Sequence, residues 1–152
     1  MKTMKTNDHA LPDLPCACAT VRRASRLVTQ LYGSHLRDHG LEASQLSILS
    51  FLNAQPGKSQ VALASVLGFD KTTLSRNLKL LQKNGWVRSS KLEGQKELGL
   101  HLTPAGQRLV KSSQADWQKA QTQLQSAMTP AEWDTMWKGL RILTQAAHTA
   151  NL

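Results

Sequence analysis

The 152-residue chain has one tyrosine, two phenylalanines and two cysteines, and only ten acidic side chains against nineteen lysines and arginines. Each scarcity removes a class of protein. Cys16 and Cys18 are too close together for an easy intramolecular disulfide, and two thiols make an incomplete metal site unless His9 or a partner subunit adds ligands. No run approaches the roughly 20 apolar residues that span a bilayer, and the first fifteen residues lack the apolar stretch of a signal peptide. A cytoplasmic chain without membrane contact is the expectation. There is no glycine-rich phosphate loop, no His-Glu-x-x-His and no carboxylate pair at useful spacing, and His35, His39 and His101 join no catalytic set. No enzyme activity, resident metal or cofactor is expected.

What is abundant is positive charge. The formal net charge is +9, and 40% apolar composition is enough for a real core. The charge is also localised. From Lys71 to Lys96 there are seven cations (Lys71, Arg76, Lys79, Lys83, Arg88, Lys91, Lys96) against Glu93 alone, whereas from Glu97 onward the balance is five against four. At about 100° per residue, Leu74, Leu78 and Leu81 share one side of a helix, and Thr72, Arg76, Lys79 and Lys83 share the other. Asp70 caps its start, and Asn84-Gly85 supplies a left-handed stop before Trp86-Val87 leaves as a strand. Upstream, Ser59 to Gly68 reads as a second short helix, joined to the first by the tight turn Gly68-Phe69-Asp70. Two helices so joined have the shape of a helix-turn-helix whose second helix enters the DNA major groove.

Around this pair the chain divides into an arm, a lobe and flanking helices. Residues 1–15 carry charges and two prolines with little periodicity, which predicts a flexible N-terminal arm. Residues 16–40 hold a helix with an apolar stripe of Val21, Ala24, Leu27, Val28 and Leu31. The lobe, residues 41–103, begins with a helix from about Ser44 to Asn53 that turns Leu46, Ile48, Leu49 and Leu52 inward and is broken by Gln55-Pro56-Gly57. It ends in a two-stranded hairpin, 86–89 with 98–102, whose basic tip makes it a wing. Residues 104–152 form two long helices. The first opens on Thr103-Pro104, with a stripe of Leu109, Val110, Trp117 and Leu124. The second opens on a Thr129-to-Glu132 capping box, with Met128 stapled on Trp133, and lines up Trp133, Met136, Trp137, Leu140 and Leu143. A small lobe cannot cover these stripes and that of the first helix as well. The fold class expected is mainly α with a small β-hairpin wing, a winged helix-turn-helix dimerising through its N- and C-terminal helices.

The order of elements, together with Leu-Gly-Phe-Asp-Lys-Thr-Thr-Leu-Ser-Arg-Asn-Leu, Asn-Gly-Trp-Val and Leu-Thr-Pro-Ala-Gly, resembles the MarR (multiple-antibiotic-resistance regulator) family from about Val21 to the C-terminus. The resemblance implies a homodimeric regulator, usually a repressor of a pseudo-palindromic operator in double-stranded DNA, released by a small-molecule effector or by cysteine oxidation. It also implies that Lys71, Thr72, Thr73, Ser75, Arg76 and Lys79 approach bases and phosphates, and Lys83 joins them from the same basic face. One position departs from the family. Where its wing typically carries Asp-x-Arg, this chain has Gly94-Gln95-Lys96, and a hydrated lysine fits a narrow minor groove less well than a guanidinium, so Lys96 is expected on phosphate.

The hydroperoxide-sensing branch of the family suggests a second regulatory reading. Its reactive cysteine lies at the start of the first helix, where Cys18 stands eight residues before Arg26 with Tyr32 further along. Tyr32 is nevertheless the only tyrosine, whereas that branch uses more than one around its thiol. Cys18, with Cys16 and Tyr32, is thus the alternative redox sensor, and incidental small side chains the plain alternative. A cysteine-dependent peroxidase is the rival from another class; it leaves the basic helix and wing without a purpose. A non-specific nucleoid-type binder would prefer no operator.

Overall fold

The computed structural model describes residues 11–91, 94 and 96–152. Residues 1–10 of the expected arm, His9 included, and Leu92, Glu93 and Gln95 of the expected wing tip lie outside them. Within residues 11–15 there is no helix or strand, and Arg23 donates to the Pro12 carbonyl at 2.7 Å, tying this segment to the first helix.

The elements follow in the expected order. Helix α1 spans Ala17–Leu36 and a 3-10 turn, Arg37–His39, ends on Gly40, whose φ of 66° is the left-handed stop that favours glycine. Helix α2 (Ala43–Ala54) starts one residue earlier than its apolar pattern suggests, because Glu42 and Gln45 cap each other's backbone in a reciprocal box. Helix α3 (Gln60–Leu67) is bounded by the Ser59 and Gly68 caps, and α4 (Lys71–Lys83) by Asp70 and Asn84. Strands β1 (Val87–Lys91) and β2 (Leu98–Leu102) pair antiparallel, Val87 opposite Leu102 and Lys91 opposite Leu98. Lys58 bridges the other side of β2, its carbonyl accepting the Leu100 N–H while Gly57 donates to the Leu100 carbonyl, so the wing is tied to the start of α3 as well as to α4. Helices α5 (Pro104–Ser126) and α6 (Pro130–Ala150) complete the chain.

A leucine-rich core joins these elements. Leu46, Ile48, Leu49 and Leu52 of α2 meet Leu63 of α3, the Leu74, Leu78 and Leu81 face of α4, and Val87, Leu100 and Leu102 of the hairpin. Each such side chain contributes about 1.5–3 kcal/mol on burial, so α4 is held by its inner face while its outer face stays free.

Helix α5 departs from the expected stripe. Leu109 and Val110 do pack against the core, but Trp117 stays 37% exposed and Leu124 is half-buried. The fully covered positions are instead Gly106, Ser113 and Ala120. These small residues recur every seventh position: Gly106 lies against the Trp86 backbone at the wing root, and α1 and α2 both pack on α5. Helix α6 has no buried residue at all.

Candidate nucleic-acid interface

Helix α4 is positioned from three directions. At its start Asp70 accepts the Thr73 N–H at 2.8 Å and the Thr73 hydroxyl at 2.6 Å, which hold its carboxyl below the usual carboxylate range. Such a cap satisfies amide donors that the first turn of the helix leaves free. One turn on, Asn77 is buried and donates through Nδ2 to the Thr73 carbonyl at 3.1 Å, continuing the polar seam along the inner flank. At its end Gly85 takes φ 71° and Thr103, the cap of α5, donates its hydroxyl to the Gly85 carbonyl at 2.6 Å. Turn, α4, wing root and α5 are thus linked by side-chain hydrogen bonds.

The side chains expected to meet DNA divide by their surroundings. Lys71, Thr72, Arg76, Lys79 and Lys83 are exposed on the outer face, and Ser75 is half-buried. Thr73 is also half-buried, and because its hydroxyl proton is spent on Asp70 its first role is to orient the helix start. Lys96 is exposed just before β2, and Lys91 is exposed at the end of β1. The structure therefore gathers the cations of α4 and those of the wing on neighbouring elements. It also adds residues that a reading of one helix face missed. Gln60 and Val61 of α3, Gln82 of α4, and Ser89, Glu97 and Leu98 of the hairpin line a groove of about 750 Å³ between α4 and the wing. Their only sequence signal was proximity in the fold, which periodicity within one helix cannot give.

The cysteines lie elsewhere. Cys16 is the residue capping α1 without a side-chain hydrogen bond, Cys18 sits in its first turn, and both are exposed. Tyr32 is fourteen residues further along the same helix, about 21 Å at the ordinary helical rise, so one chain does not bring it to Cys18. Its hydroxyl instead donates to Gln121 of α5, and burial pushes its pKa up. Tyr32 borders a cleft of about 350 Å³ formed by α1, α2 and α5, with Val28, Leu36, Leu46 and Trp117 around it. Among the described residues no group of three or more potential metal ligands occurs, and no helix is long and apolar enough to cross a membrane.

A capped basic helix beside a two-stranded wing, both fixed to one leucine core, defines a winged helix-turn-helix protein. The family model of the MarR family matches residues 39–96 of the chain. It is 30% identical over 83 residues, 55% of its own length, to an uncharacterized HTH-type transcriptional regulator, YwoH, of Bacillus subtilis. That match spans 61% of the relative's length. Among solved structures it is similar to the Mycobacterium tuberculosis transcriptional regulator MosR in complex with DNA, at 29% identity and a TM-score of 0.81, covering 90% of this chain and 99% of that one. Two more distant structures share the fold. Apo MarR from Escherichia coli is 20% identical with a TM-score of 0.71, covering 86% of this chain and 98% of that one. Bordetella bronchiseptica BpsR, whose DNA binding is regulated by 6-hydroxynicotinic acid, is 20% identical with a TM-score of 0.78, covering 88% and 97%.

Proposed function

We propose that the protein is a homodimeric transcriptional regulator, acting as a repressor on a pseudo-palindromic operator. The observation that carries this reading is the outer face of α4. It presents Thr72, Arg76, Lys79 and Lys83 to solvent while its opposite face is locked into the core and both ends are pinned. Arg76, in the middle of that face, has the length and fork for a bidentate contact to guanine, and Lys83 near the end reaches phosphate. One reading helix per chain and a two-fold dimer give two half-sites about 10 base pairs apart in successive major grooves. The likeness to MosR, solved in complex with DNA, supports DNA as the partner.

Operator selection followed by footprinting tests this. Two protected half-sites are expected, and a single one overturns the dimeric reading. On the selected operator Arg76→Ala is expected to lose about 1–3 kcal/mol and to relax preference at one base step, whereas Lys83→Ala weakens operator and random DNA alike. If Arg76→Ala lowers both affinities by one factor, Arg76 is a phosphate anchor and its assignment to a base fails.

The cleft between α1, α2 and α5 supports release by a small molecule. It is lined by apolar side chains with Tyr32, Thr29, Ser47 and Ser50 as polar groups, the mixture that binding sites use to hold and orient a ligand. It joins the helices carrying the open apolar stripes to the first helix of the lobe. A ligand there would bias the separation of the two reading helices. No effector is named by this chemistry beyond a compact, largely apolar molecule with polar substituents.

The exposure of both thiols favours a second reading, release by oxidation at Cys18. A hydroperoxide would transfer its terminal oxygen to the sulfur, leaving the alcohol and a sulfenic acid in the first turn of α1. Operator affinity before and after stoichiometric hydroperoxide, in wild type, Cys16→Ser and Cys18→Ser, checks it. Oxidised wild type should lose affinity and Cys18→Ser should not respond. An unresponsive wild type, or a fully responsive Cys18→Ser, rejects the thiol in favour of the cleft.

A further inference from the structure

Adjacent major and minor grooves of B-DNA are separated by one sugar-phosphate strand. A protein that lays a helix in the first and brings a hairpin to the second must seat that strand between the two elements. The groove of about 750 Å³ between α4 and the wing is the corresponding space here. Its lining suits a sugar-phosphate strand in two respects. Lys71 and Lys79 bring two positive charges, and Val61 and Leu98, 66% and 49% exposed, offer apolar surface to the C–H faces of deoxyribose. It is unsuited in a third. Glu97, exposed at the foot of β2, places a carboxylate on the same groove.

We infer that Glu97 is an electrostatic brake on sequence-independent DNA binding, acting on the strand seated between the reading helix and the wing. The inference rests on the reading that α4 occupies the major groove. With a formal charge of +9 the chain attracts every duplex, and a genome offers about 10⁶–10⁹ sites, so surplus phosphate affinity lengthens its stay at each one it meets and slows the search for its operator. A carboxylate beside the phosphate path lowers that attraction without touching a base, and no ion pair of Glu97 offsets it among the described residues. The groups that face the strand with it are Lys71 and Lys79 of α4, with Lys91 and Lys96 exposed near the hairpin tip.

The test is a salt titration of binding to the selected operator and to a random-sequence duplex of equal length. Wild type, Glu97→Gln and Asp134→Asn are compared; the last removes one acid from exposed α6 and controls for net charge. Glu97→Gln is expected to bind both duplexes about three- to tenfold more tightly at low salt, with a salt slope steeper by about one, and Asp134→Asn to match wild type. The proposal is overturned if Glu97→Gln shows no gain, gains on the operator alone, or gains no more than Asp134→Asn. A wild type that binds neither duplex overturns the reading of α4 itself, which separates the two failures.

Discussion

Gly106→Ala should destabilise the protein by about 2–4 kcal/mol, although alanine is the better helix former by about 1 kcal/mol. The sign is decided by one contact. A Cβ built on Gly106 would lie 2.1 Å from the Trp86 carbonyl oxygen and 3.0 Å from its carbon, and both are backbone atoms that no rotamer change can move. That carbonyl is also engaged, accepting the Thr103 N–H at 3.0 Å, while the Thr103 hydroxyl holds Gly85 on one side and accepts the Gly106 N–H on the other. Making room for one methyl therefore lifts the first turn of α5 off the wing root and breaks the cap with it. Thermal unfolding should show the midpoint falling by several degrees, and operator affinity should fall too, since the wing and the end of α4 share that joint. A midpoint at or above that of wild type would mean that α5 yields easily and that Gly106 is there by helix chemistry alone.

The residues that made α4 legible are those whose chemistry is local. Asp70, the leucines at 74, 78 and 81, and Asn84-Gly85 act within one helix and its ends, and each lies where the sequence pattern puts it. The Thr103-Pro104 and Thr129-to-Glu132 starts are likewise local, and both caps form. What escaped depends on separate elements meeting. Periodicity looks for large apolar side chains, so it marked Trp117 and Leu124 and passed over Gly106, Ser113 and Ala120, whose small size lets them be fully covered. Lys58 pairing with β2, Gln60 and Glu97 on one groove, and the His39–Asp116 contact at 2.9 Å have the same character. The order of elements was read from the residues and carried the family resemblance. The resemblance did not supply these contacts, which follow from this chain's own residues.

The largest effect is expected from α6, where the single chain leaves most apolar surface open. Trp137 is 43% exposed, Leu140 44% and Leu143 39%, and on α1 Val21 and Leu27 are 41% and 47% exposed. Trp133 stacks edge-on against Trp137 at a centroid distance of 5.9 Å, a rigid aromatic pair prepared for a surface that its own chain does not provide. Monomers rarely leave so many large apolar side chains uncovered along one helix, and a second copy supplies the same stripe under two-fold symmetry. Introducing two charges there, Trp137→Asp with Leu140→Asp, should yield monomers in light scattering at micromolar concentration. Operator affinity should fall by about 10²–10⁴-fold, because the second half-site is no longer held at a high effective concentration. If the variant does not fold, wild type still decides the matter: a dimer whose subunits fold together has a thermal midpoint that rises with protein concentration. A wild-type monomer with a concentration-independent midpoint would remove the dimer from the proposed function, and with it the pairing of two reading helices on one operator.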